Sequence, residues 1–477
     1  MMNGRRMRLA ATVRKRSLGA MESREELFRI HPVKSAIKEL VMPTVLAQLV
    51  NVFYNLADIF FVGQTGNSAQ IAALSVASPL FMIMTATGNL FGIGGAAAIS
   101  VSAGAGKKEL AEKQTVFCIW TTVIVAALYS SILWSGKGYI LCFMGVSGKT
   151  AGYAQIYFFY VMVAGSIPAI LNVVLNHIIR AAGEPEKASE GLILGSLANI
   201  ILDACFTMIF PWGVRGVAVA TFVANVGVTM FYIGLFCRNR KKISIAASPL
   251  DYRLSGEVIR PVLLSGTPAA VQTFCVSVMY LFMNKIAAEY GDFNVAAVGV
   301  VQKIDMIPQY VTLGISQGMI PFLAFNYGAG EQKRMWDARK YALKMAIVFS
   351  VVCVGIFEVL APFFVQLFVH EAGEIAKSAV FLRIMCISTP VMAYCNVSTA
   401  LFQATGKARE ALTVSLFRKG YVGIPMLFLL NWIIGEYGIL WAPLVVDALA
   451  AFLLLWFKKR FAYACETNEK IKKKKEK

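Results

Sequence analysis

Charge is what this chain has least of. Only 15% of its 477 residues are charged, while 57% are apolar, a balance that excludes a soluble globular protein of this length. The three histidines, His31, His177 and His370, are too far apart to suggest a metal cluster. Nine cysteines occur without a CxxC pair, so neither a disulfide frame nor a thiolate metal site is expected. The apolar residues do not alternate with polar ones, which excludes a membrane β-barrel. The opening "MMNGRRMRLAATVRKRSLGA" has no apolar h-region and is no secretory signal; Met21 stands as a second candidate start. "GAGKKE" lacks the complete phosphate-binding loop pattern, "FGIGG" reads as close helix packing, and the "NVS" sequon at 396–398 falls inside an apolar run. No nucleophile–base set appears either. The sequence therefore predicts no enzyme, no cofactor and no metal centre, apart from a Na⁺ site considered below.

What remains is apolar runs about 20 residues long, each enough for a helix to cross a ~30 Å hydrocarbon core. Twelve such spans are predicted, at 36–62, 70–101, 115–135, 153–180, 189–212, 214–237, 258–288, 294–326, 341–369, 376–404, 410–433 and 437–460. The net charge of +19 does not point to nucleic acid, because of where the cations lie. Of 46 Lys and Arg, ten fall in residues 1–38, nine in 458–477 and twenty are assigned to the five even-numbered loops and their flanks, against four in the odd loops. This bias puts both termini and the even loops in the cytoplasm. Three further cations, Lys285, Lys303 and Arg383, are assigned to the spans, where snorkelling or pairing with Asp305 and Glu358 is expected.

The chain is also written twice. "GNSAQIAALSVAS" (66–78) matches "GDFNVAAVGVVQK" (291–303) at an offset of 225, and Pro43 meets Pro268. "SAGAGKKELAEKQ" (102–114) meets "NYGAGEQKRMWDA" (326–338), "RAAGEPEKA" meets "QATGKAREA", and "WGVRGVAVA" echoes "IIGEYGILWA". Six spans per half make parallel repeats, with a cavity between lobes that rock against each other. The expected division is a basic arm (1–35), an N-terminal lobe (36–237), a linker (238–257), a C-terminal lobe (258–460) and a basic tail (461–477).

Polar residues inside the spans fall on single helix faces. In span 1, Gln48, Asn51, Asn55 and Asp58 are spaced 3, 4, 3, with Tyr54 beside them. An ionised Asp at a helix centre costs ~3 kcal/mol on insertion scales, so this face must turn toward other helices or water. Span 5 carries Ser196, Asn199 and Asp203 on one face, and span 6 carries Thr221, Asn225 and Thr229. If spans 1, 5 and 6 converge, two carboxylates meet among amides and hydroxyls. Such a set can carry a proton or ligate Na⁺. The repeat places Met283, Tyr421, Pro425 and Pro443 opposite Asp58, Asn199, Asp203 and Thr221, so the acidic set belongs to one half. In the other half, Gln302, Asp305, Gln309, Thr312 and Ser316 form their own stripe in span 8.

"FYNLADIFFVG", "FGIGGAAAISVSAGAGKKELAEK", "ANIILDACFTMIFPWGVRGVAVAT" and "GISQGMIPFLAFNYGAGE" together resemble the multidrug and toxic compound extrusion (MATE) family, most of all its bacterial MepA-type branch. The resemblance covers residues 36–460. It implies an all-α, twelve-helix, two-lobe exporter in the bacterial inner membrane that exchanges amphipathic organic cations for H⁺ or Na⁺. It also implies an N-lobe ion-coupling set at Asp58, Asn199, Asp203 and Thr221. Gln48, Asn51, Tyr54, Asn55, Ser196, Asn225, Gln302, Asp305 and Gln309 are the candidate cavity residues. The expected partners are the small-molecule cation, the coupling ion and the lipid bilayer, with no nucleic acid, and the expected state is a monomer. Two other readings stay open: a flippase for an anionic lipid-linked precursor, favoured by the three cations, and a membrane scaffold that transports nothing.

Overall fold

The computed structural model describes residues 26–63, 68–143, 150–210, 212–238, 252–369 and 371–475. Among the described residues there is no strand, and twelve helical segments follow one another. We number them α1 (Val33–Gly63), α2 (Ser68–Gly104), α3 (Lys108–Phe143), α4 (Thr150–Tyr157 and Ser166–Ala181, joined by a π turn at Phe158–Ala164), α5 (Pro185–Ala204) and α6 (Val214–Arg238). The second six are α7 (Gly256–Glu289), α8 (Asp292–Gly328), α9 (Gln332–Gln366), α10 (Ala372–Cys386 and Thr389–Ala404), α11 (Ala408–Leu416 and Gly423–Ile434, with a π turn at Phe417–Tyr421) and α12 (Gly438–Lys475). Each predicted span falls on one of these helices.

Eight helical runs are long and apolar enough to cross a membrane on their own, and two bent pairs, α4 at 46° and α10 at 40°, bring the number to ten. One of the eight runs, Ala408–Cys465, contains both α11 and α12. The helix that fails the test is α8, because Gln302, Asp305, Gln309, Thr312, Ser316 and Gln317 dilute its apolar surface. A helix this polar must be covered by protein, and it is: α1, α2, α9 and both parts of α10 enclose it, with Asp305, Thr312 and Ser316 all buried.

The duplication is visible in the backbone. Left-handed glycines recur in pairs: Gly106 (φ 75°) with Gly330 (79°), Gly183 (88°) with Gly406 (68°), and Gly213 (54°) with Gly435 (63°). A side chain would strain each of these positions, so both copies keep glycine where the chain turns between helices. Gly291 (φ 96°) would pair with Gly66, which lies outside the described residues.

The lobes meet along α1, α2, α7 and α8. Here glycines let backbones touch: a Cβ on Gly94 would collide with the Val262 carbonyl, and one on Gly266 with that of Leu90. Gly104 and Gly328, which are duplicates, face the carbonyls of Phe325 and Val101, also duplicates. The pseudo-two-fold axis therefore passes between them, at the ends of α2 and α8 nearest the even-numbered loops. Nearer mid-helix the seam is polar. Gln48 donates to Gln317 Oε1 (3.2 Å) and Asn89 to Thr273 Oγ1 (2.9 Å). A π turn at Glu26–Ile30 straps the start of α1 to the other lobe, where Arg334 donates to the carbonyls of Phe28 (3.2 Å) and His31 (2.8 Å) and Phe28 is wholly buried.

Candidate functional site

In the N-terminal lobe, α1 packs on α5 and α5 on α6, so the three helices that carry the polar faces are neighbours. Asp203 is wholly buried, with Asn199 and Thr221 nearly so. Asn199 Nδ2 approaches Thr221 Oγ1 at 3.4 Å across the α5–α6 contact. Two residues past Asp203 the helix opens into a π turn, Cys205–Ile209, and Thr207 donates to the Asp203 carbonyl (2.5 Å). A π turn widens a helix and is frequent where a buried polar group needs room. Ser196 and Asn225 are half-buried on the same faces. The Asp58 side chain lies outside the described residues; its backbone sits in the last part of α1.

Sequence periodicity missed the contribution of α4. Asn172 donates to both the carbonyl (3.0 Å) and Oδ1 (3.1 Å) of Asn225, and receives a bond from Thr229 (2.7 Å). It sits past the helix break, where an i, i+4 reading loses register. Other candidates are committed elsewhere. Gln48 spans the lobe seam, and Asn55 donates to the Asn51 carbonyl one turn back (2.7 Å). Asn51, Tyr54 and Asn55 remain half-buried along α1.

The C-terminal lobe holds a second polar centre. Asp305 and Gln309 line a small cavity together with Tyr280, Lys419, Asp447 and several methionines. Gln309 donates to Asp305 Oδ2 (2.5 Å) and to Tyr280 Oη (2.7 Å). Arg418 grips Asp447 with two bonds (2.8 and 3.0 Å) and donates a third to Asn396 (2.9 Å). Gln302 stands apart from this cavity and bonds Asn284 (3.2 Å).

The intramembrane cations need correction. Arg418 and Lys419 fall within the predicted span 410–433 and lie inside α11, so they join Lys285, Lys303 and Arg383 as cations within the spans. Of the three cations assigned to the spans, Arg383 pairs with Glu358 (4.0 Å) and also bonds its carbonyl (3.0 Å). Lys285 is exposed, as a snorkelling lysine would be, and neither it nor Lys303 pairs with Asp305.

Two duplicated six-helix lobes, with helices broken beside buried acids, define the build of a secondary membrane transporter. The family follows from comparison. The chain belongs to the MatE family, whose family model matches it twice, over residues 43–205 and 268–429. The two matches begin 225 residues apart, which is the offset of the repeat. Multidrug export protein MepA of Staphylococcus saprophyticus is 28% identical over 418 residues, covering 87% of this chain and 92% of that protein. MepA of Staphylococcus aureus is 27% identical over 449 residues, covering 93% and 98%. A crystal structure of MATE in complex with MaL6 superposes with a TM-score of 0.88 at 24% identity, over 93% of this chain and 99% of that one. A MOP superfamily transporter from Pyrococcus furiosus, described as having a binding pocket of reverse polarity, gives 0.86 at 24% identity, over 93% and 98%.

Proposed function

We propose that this protein is a secondary active multidrug antiporter that exports amphipathic organic cations in exchange for H⁺ or Na⁺. The observation that carries the reading is the burial of Asp203 beside Asn199 and Thr221, a carboxylate set among neutral amide and hydroxyl groups. Such a group can take a proton, or lend oxygens to Na⁺ with its neighbours. The names of the staphylococcal relatives, multidrug export proteins, support the same substrate class.

In this reading Asp203 and Asp58 are the ion-coupling acids, and the lobes of 36–237 and 258–460 rock about their glycine seam. An ion arriving from outside weakens the hold on the organic cation, which leaves. After rocking, the ion is traded for a new guest. Ion and drug binding oppose each other, and the coupling is reciprocal. The arm, linker and tail lie in the cytoplasm of a bacterial cell, and the chain works as a monomer in the inner membrane. The close glycine contacts between the lobes fall in the halves of α2, α7 and α8 nearest the even-numbered loops, which supports a cavity open on the opposite, outer side.

The test is efflux of a fluorescent organic cation from proteoliposomes under a pH gradient and a Na⁺ gradient, applied separately. Gradient-driven movement in the wild type, lost in Asp203→Asn, is the expected result and names the ion. Wild-type rates in Asp203→Asn would overturn the assignment. The flippase reading is weakened because Arg383, one of its three cations, already has Glu358 as partner.

A further inference from the structure

We propose that the C-terminal lobe holds a second proton-binding site, in which Asp305 takes up and releases a proton opposite the tethered ammonium of Lys419. Its geometry stands on its own; only its part in coupling rests on the antiporter reading above.

Asp305 is 3% exposed and accepts one hydrogen bond, from the neutral amide of Gln309. No cation of the described residues reaches ion-pair distance from it. Lys419 lines the same cavity and makes no hydrogen bond. The two remaining charges, Arg418 and Asp447, are locked together by a two-point ion pair. One carboxylate and one ammonium are thus left facing a shared space, neither satisfied by the other. A charge buried without a partner is costly in a lipid-embedded protein. Protonation of Asp305 removes that cost at the acid. Loss of the proton restores it, until the flexible stem of Lys419 carries its ammonium across.

The backbone around the cavity supports a working site over inert packing. Two helices break beside it, and two more carry a proline there. Pro308 lies three residues after Asp305, and Pro443 four before Asp447. The 40° bend of α10 falls at Ser388, which lines the cavity. The π turn of α11 contains Lys419 itself, and Gly420 beside it leaves helical geometry altogether (φ −110°, ψ −109°). Irregular backbone at membrane depth is tolerated where it lines a cavity, and it marks ion and substrate sites.

The ligand follows from the charge count. Two acids face two cations, so no negative charge is spare for a metal ion, and Na⁺ would meet the Lys419 ammonium. A proton adds to the carboxylate itself, turning an acceptor into an O–H donor and leaving Lys419 without its counter-charge. The other titratable groups facing Asp305 are Tyr280 on α7, Cys353 on α9, Cys386 on α10, Lys419 and Arg418 on α11, and Asp447 on α12. Of these only Lys419 is a cation free to move.

The experiment is an infrared pH titration of the full chain in liposomes, following the carbonyl stretch of buried carboxylic acids. One such signal should titrate in the wild type and in Asp203→Asn, and vanish in Asp305→Asn. In Lys419→Met it should persist with its midpoint displaced by about one pH unit or more, a tenfold change in proton affinity. Replacing choline with Na⁺ at fixed pH should leave the wild-type signal unmoved. A signal unchanged in Asp305→Asn overturns the proposal, as does a midpoint shifted by Na⁺. If Asp305→Asn does not fold, an unmoved midpoint in Lys419→Met overturns it. Absence of efflux under any gradient would sink the antiporter reading and leave this spectrum to be judged separately.

Discussion

The two lobes make the same backbone contact with different chemistry. In the first, Asn172 on α4 donates to the Asn225 carbonyl on α6; in the second, Cys395 on α10 donates to the Asp447 carbonyl on α12 (3.4 Å). The offset of 222 between Gly213 and Gly435 carries Asn225 onto Asp447, and the offset of 223 between Gly183 and Gly406 carries Asn172 onto Cys395. What surrounds this shared joint has diverged. The N-terminal copy is a web of Asn and Thr side chains, with Asp203 buried in the same lobe. The C-terminal copy holds Arg418, Lys419, Asp305 and Asp447, a set balanced in charge. Duplication fixed the joint, and each half then built its own electrostatics on it.

Breaking one charge in the balanced lobe should give the largest effect. Asp447→Ala leaves Arg418 buried without a counter-ion, at a cost of about 3–5 kcal/mol. We expect loss of folded protein on solubilisation, measured by the recovery of a monodisperse peak. The double replacement Arg418→Met with Asp447→Leu should recover most of it, because a buried pair can be exchanged for apolar side chains at little cost. In the N-terminal lobe, Asp203→Asn should keep the fold and abolish gradient-driven efflux. A melting temperature within about 2 °C of wild type, on the scale where 1 kcal/mol moves a large domain 2–4 °C, would separate a functional acid from a structural one.

Mutations at the seam should act on the balance between states. Gly104→Ala or Gly328→Ala forces the facing carbonyls apart, and overpacking of this kind costs about 1–3 kcal/mol. The form closed at the even-loop ends should lose population by roughly 5- to 150-fold, read as a longer spin-label distance across α2 and α8. A smaller change is expected from Asn225→Ala. It removes the side-chain acceptor of Asn172 but leaves the shared carbonyl contact, so stability should fall by only about 1 kcal/mol. The counterpart Cys395→Ala should move it less still.

Much of this was legible because membrane burial writes a strong pattern. Twelve apolar runs and the repeated glycine turns locate the helices, and Asn199 on α5 meets Thr221 on α6. The failures have a common cause. Spacing tells which side chains share a helix face, but not which neighbour covers that face. Gln48 therefore turned out to bridge the lobes, and Asp305 to lean on Gln309 instead of a lysine. Helix breaks defeat periodicity outright: Asn172 lies beyond one, and Arg418 and Lys419 lie within another. A π turn adds a residue to the helical turn, so i, i+4 arithmetic carried across it points to the wrong face.

The contact at Gly104 and Gly328 is made of peptide groups alone. Most protein interfaces can absorb a harmful substitution through a compensating change in the facing side chain. Here there is no side chain to change on either surface, and a carbonyl cannot be mutated away. The seam is thus a place where drift in one lobe has no remedy in the other, and the two halves stay bound to a common past where their backbones touch.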